Sequence, residues 1–107
     1  MSGEVNVGKT FPLYITGTTT LGANSNNVVV ALLTGAATLN LPAVATTPNG
    51  FQLLVRNNSA APQTLTVQGN GAENIGAANT ASVTQGLNLT ILSDHVRSKW
   101  QILFGPA

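Results

Sequence analysis

The chain has 107 residues, of which 43% are hydrophobic and only 7% charged: Glu4, Lys9, Arg56, Glu73, Asp94, Arg97 and Lys99. A net charge of +1 offers no electrostatic footprint for nucleic acid or an anionic membrane surface. The absence of Cys and the presence of a single His remove zinc fingers, iron–sulfur sites and any disulfide framework, so no cofactor and no metal is expected.

Polarity comes instead from 14 Thr, 12 Asn and 6 Ser, that is, from hydroxyls and amides. Ordinary domains carry about 25% charged residues. A surface this poor in ions suits one covered by other protein chains. The length is that of one domain with one modest core. The start, Met1-Ser-Gly-Glu-Val-Asn-Val7, has neither a basic n-region nor an apolar h-region. The longest apolar run, Val28-Val-Val-Ala-Leu-Leu33, falls far short of the roughly 20 residues that span a bilayer.

In chain order, residues 1–16 read as an extended arm and 17–107 as a single β domain. The arm ends in Thr10-Phe-Pro-Leu-Tyr-Ile15, whose aromatics flank a proline that suits an edge or a strand's first residue. Period-2 alternation, punctuated by Asn/Gly/Pro turn signals, then predicts short strands at 12–16, 27–33, 37–41, 50–57, 63–68, 74–75, 81–84, 87–92 and 99–104. Residues 43–47 lie between Pro42 and Pro48 and predict at most a turn. The expected fold is all-β, a compact antiparallel sandwich or barrel of about eight short strands. In the last strand Trp100, Ile102 and Phe104 fall in phase with the core.

Two segments depart from alternation. Residues 28–33 and 51–55 are apolar, or nearly so, on both faces, which requires burial on both sides, inside the domain or between subunits. Thr18-Thr-Thr20 and Thr64-Leu-Thr66 invite comparison with a flat hydroxyl array. Such an array needs a fixed internal period, which the chain lacks, and the β-propensity of Thr accounts for these rows.

Ser93-Asp-His95 contains the residue types of a hydrolytic triad. Adjacent residues of an extended chain point to opposite faces, so this spacing cannot build the relay, and the segment reads as a polar turn. Glycosidic chemistry needs two flanking carboxyls, and only Glu73 and Asp94 lie outside the arm. Gly69-Asn-Gly-Ala-Glu-Asn-Ile-Gly76 lacks the Lys-Ser/Thr ending and the following helix of a phosphate loop. No catalytic residue is assigned, and the chain is expected not to be an enzyme.

Thr38-Leu-Asn-Leu-Pro42, Gly50-Phe-Gln-Leu-Leu-Val-Arg-Asn57, Gln63-Thr-Leu-Thr-Val67 and Gly86-Leu-Asn-Leu-Thr-Ile-Leu-Ser-Asp94, closed by Trp100-Gln-Ile-Leu103, form a recognisable order. It resembles the small β modules of tailed-bacteriophage virion proteins, found in tail fibres, tailspikes, head fibres and capsid decoration proteins and commonly homotrimeric. The resemblance spans residues 37–104; His95 after Asp94, where the family carries Gly, marks an altered turn. It implies a non-enzymatic structural protein of the virion, made in the host cytoplasm. A single module with one arm suits a homotrimeric capsid decoration (cement) protein, with copies of itself and the major capsid protein or another virion protein as partners. The alternatives are a tail-fibre, tail-tip or head-fibre adhesion protein that contacts host glycan and, more distantly, a carbohydrate-binding module. In the decoration reading Phe11, Leu13 and Tyr14 dock the arm, while Val29, Leu33 and Leu54 bury the subunit interface.

Overall fold

The computed structural model describes residues 12–22 and 26–106. Nine strands form two sheets, and no α-helix occurs among the described residues. The chain alternates between the sheets. It runs through Leu13–Ile15 (β1) in the first and Thr19–Thr20 (β2) in the second, then Val28–Ala31 (β3) and Ala37–Asn40 (β4), then Gln52–Asn57 (β5) and Leu65–Gln68 (β6). Thr80–Val83 (β7) remains in the second sheet, and Asn88–Asp94 (β8) and Lys99–Phe104 (β9) complete the first. The five-stranded order is β1-β3-β5-β8-β9 and the four-stranded order β2-β4-β6-β7.

The sheets are mixed, which corrects the antiparallel expectation. β1, β3 and β5 are parallel, as are β2, β4 and β6; only β7, β8 and β9 pair antiparallel. Each early strand returns to its own sheet only after visiting the other, so neighbours run in the same direction. Alternation of side chains is the same in a parallel and an antiparallel strand covered on one face, and the sequence pattern therefore does not separate them. The two sheets face one another as a sandwich. β1, assigned to the arm by its sequence, is an edge strand of the five-stranded sheet; residues 1–11 lie outside the described residues.

Register explains the core. Leu13 lies beside Val29, Val29 beside Val55, and Val55 beside Leu89. In the other sheet Ala37, Leu65 and Val83 align, as do Leu39, Val67 and Ala81. These rows meet between the sheets, and Val29, Leu39, Leu53, Val55, Leu65, Val67, Leu89, Ile91 and Trp100 are wholly buried there. Phe51 meets Trp100 edge-on with ring centroids 6.4 Å apart, a favoured aromatic geometry.

Polar side chains close the corners. Thr19 Oγ1 donates to the Gly17 carbonyl at 3.0 Å and the Thr38 amide donates to Thr18 Oγ1 at 3.2 Å, tying the first bend to the next turn of chain. After β5 the buried Asn57 amide donates to the carbonyls of Gln63 and Val83, both at 2.8 Å. Its Oδ1 accepts from the Ser59 hydroxyl at 2.6 Å and the Ser59 amide at 3.2 Å. Ser59 Oγ in turn accepts from the Leu33 amide at 2.8 Å. One buried knot thus joins both sheets through three bends.

Residues 43–47 form a short 3-10 turn, Val44–Thr46, whose Val44 amide donates to Glu73 Oε1 at 2.9 Å. The Glu73 loop is held by Asn79, whose amide donates to the carbonyls of Glu73 (2.6 Å) and Gly71 (3.1 Å). Gly69 is required there, because a Cβ would fall on the Glu73 carbonyl oxygen.

Candidate interaction surface

The charged turn after β8 is structural in its contacts. Ser93, fully buried, donates from Oγ to the Pro48 carbonyl at 2.7 Å and accepts from the Phe51 amide at 3.2 Å. His95 Nε2 lies 2.7 Å from the Thr47 carbonyl, and its backbone amide donates to Asn49 Oδ1 at 3.1 Å. Asp94 Oδ1 accepts the amides of Val96 (2.9 Å) and Arg97 (3.2 Å), an Asx-type turn, while Oδ2 accepts from Gln101 Nε2 at 2.9 Å. The Gln101 amide holds the Asp94 carboxyl below the usual range; desolvation opposes this, and the two backbone amides and the Arg97 guanidinium at 3.7 Å reinforce it. No hydrogen bond links the Ser93, Asp94 and His95 side chains among the described residues. Glu73 and Asp94 each cap backbone in a separate loop, and no group of three or more His, Asp or Glu gathers among the described residues.

The outward faces of the two sheets differ in chemistry. On the four-stranded sheet Thr20, Asn40, Gln68 and Thr80 stand in one row across the strands, and Thr38, Thr66 and Ser82 in the next. Hydroxyls and amides do align across this face, although the sequence has no fixed period, because successive turns of chain differ in length while the strands stay in register. On the five-stranded sheet the corresponding rows are Tyr14-Val30-Arg56-Asn88 and Val28-Leu54-Thr90-Phe104. Arg56 is tied down, donating to the Gly86 carbonyl at 2.9 Å and to Asn88 Oδ1 at 3.2 Å.

The residues assigned to assembly from sequence separate accordingly. Leu54 and Tyr14 point outward, 37% and 62% exposed. Leu13 is half-buried against the core, and Phe11 lies outside the described residues. Val29 and Leu33 require correction: both are buried in the chain's own core, because within β3 it is Val28 and Val30 that alternate outward. Phe104 was missed. A bulge between Thr90 and Ile91 shifts its register, so it stands opposite Thr90 on the outer face, 55% exposed, instead of in phase with Trp100. A bulge of this kind has no residue signature here. The phase of β3 follows from its pairing with β5, where Val29 lies beside the buried Val55.

A depression of about 360 Å³ is lined by Asn27, Pro48, Asn49, Gly50, Phe51 and Gln52. Its amides could hydrogen-bond a small polar group, but its one ring, Phe51, is already engaged with Trp100. No protein-family model and no curated protein sequence matches the chain, so its function is read from its own residues.

Proposed function

We propose that this chain is a non-enzymatic structural subunit of a tailed-phage virion, acting as a homotrimeric capsid decoration protein that stabilises the shell. The observation that carries the reading is the scarcity of ions on a rigid two-sheet body: within the nine strands only Arg56, Asp94 and Lys99 carry charge. Faces built from short hydroxyls, amides and aliphatics lose little rotamer entropy when covered, which suits a surface made to be occupied. The side chains of the charged turn serve as hydrogen-bonding struts. The order of short segments that resembles phage β modules runs along β4, β5, β6, β8 and β9. A subunit of this kind favours the assembled shell by binding the lattice in preference to free capsid subunits.

The docking element is the segment preceding β1. Because Ile15 is buried in the core, the informative truncation removes residues 1–11 only. Full-length chain added to undecorated shells of its co-encoded major capsid protein is expected to bind saturably and to raise the melting temperature of the shell. The truncated chain is expected to keep its own melting temperature and lose binding. Full-length chain that leaves the shells bare would sink the decoration reading, and equal binding by the truncated chain would sink the docking role of the arm.

A further inference from the structure

Among the described residues no element packs on the outward face of the five-stranded sheet, and its chemistry is not that of a solvent face. Tyr14, Leu54 and Phe104 are exposed by 62%, 37% and 55%, and Val28 and Val30 lie between them in the register. The sheet packed on its other side gives a direct comparison. It has the same kind of short strands, yet it presents hydroxyls and amides at its aligned outward positions. A chain whose two outer faces both met water would have no physical reason for this asymmetry. We infer that the Tyr14–Phe104 face is where copies of this chain pack on one another.

A second copy is the occupant that the face fits. Its central cation, Arg56, is already held by the Gly86 carbonyl and the Asn88 side chain. Its other ions, Asp94 and Lys99, pair in register at the far end beside the charged turn, so the apolar centre has no free ion with which to select an acidic or a basic partner. The apolar centre has Gln52, Arg56, Asn88 and Gln101 around it, the arrangement of a hydrophobic core with a polar rim that marks protein–protein contacts. Five strands at about 4.8 Å spacing, with central strands near 20 Å long, give roughly 500 Å² in plan per copy. A pair of such faces covers about 1,000 Å², the size at which specific contacts begin. Sheets also stack face to face at about 10 Å using aliphatic and aromatic side chains of this kind. The inference deepens the subunit reading above and rests on it for the expectation of self-association; it does not depend on which shell or fibre receives the assembly.

The test uses the purified full-length chain, its mass measured by sedimentation equilibrium from about 1 to 100 µM. The expected mass is at least twice the 10.9 kDa of one chain. The double variant Leu54→Glu/Phe104→Glu is expected to fall to 10.9 kDa with its strand signal in circular dichroism intact, since both positions face outward. Thr66→Glu/Ser82→Glu, on the opposite sheet, is expected to keep the wild-type mass. Wild-type chain at 10.9 kDa throughout would overturn the inference. So would an undissociated Leu54/Phe104 variant, or equal dissociation by the control. Should the double variant lose its strand signal, Phe104→Ser decides: association weakened about tenfold or more supports the contact, and an unchanged constant overturns it. Because the mass is read without shells, failure of the self-contact and failure of shell binding are separate results.

Discussion

Asn57 is a polar side chain on which the fold leans heavily. It is wholly buried, and all four of its hydrogen-bonding positions are used: two donations at 2.8 Å to Gln63 and Val83, and two acceptances from Ser59. Asn57→Ala strands these groups in a site closed to water. Each stranded group costs about 1–3 kcal/mol. Taking two or three of them at the low end gives about 2–3 kcal/mol, a substantial share of the roughly 5–15 kcal/mol that holds a domain together. Trp100, the only tryptophan and fully buried, reports unfolding by fluorescence. With a urea slope of about 1–1.5 kcal/mol/M for a chain of this size, the midpoint is expected to fall by roughly 1–3 M at fixed protein concentration. Asn57→Asp keeps the shape but aims a carboxylate oxygen at two carbonyls, so its folded-state pKa is raised and its deficit should shrink as pH falls towards about 4. A midpoint shift below about 0.5 M for Asn57→Ala would refute the assignment of the knot as a main support of the fold.

Two further perturbations address the loops. Asp94 is favoured as a carboxylate in the folded chain, so the stability it contributes is present at neutral pH and lost as pH falls below about 3.9 and through the lower folded value. Asp94→Asn should therefore flatten the acid limb of a melting-temperature profile between about pH 5 and 2, and superimposable acid limbs would contradict the role of the Gln101 contact. Gly69→Ala places a methyl on the Glu73 carbonyl, which Asn79 holds in position. A cost of about 1–3 kcal/mol is expected, lowering the melting temperature by roughly 4–8 °C per kcal/mol; a change under about 2 °C would show that the loop moves aside freely.

Strand positions were legible because alternation is a local property. Every expected segment lies on a strand except 74–75, which contributes only isolated bridges from Ile75 to Ala78 and Trp100. The two-residue β2, Thr19–Thr20, escaped because it contains no apolar residue to alternate. Direction was not legible: whether Val29 meets Val55 in parallel or antiparallel depends on the route between them, which their identities do not encode. The same limit governed the surface. The phase of Leu54 and of Val29 within runs apolar on both faces, and of Phe104 beyond a bulge, is set by neighbours on other strands. Asn57-Asn-Ser59 read as a turn, and its role as a buried junction depends on Leu33 and Val83, both remote in sequence.

The alternation of the first six strands between two sheets bears on the order in which the chain can fold. β5 lies at the centre of the first sheet, with β3 on one side and β8 on the other. The two earliest turns of chain bury their apolar rows only when β5 and β6 have been made and laid beside them. β5 itself keeps an unpaired edge until β8 returns. Such non-local pairing places folding in the slower range, milliseconds to seconds, that topologies rich in distant contacts occupy. A nascent chain therefore carries exposed strand edges until most of it has been synthesised, and another copy in the same half-made state offers matching edges.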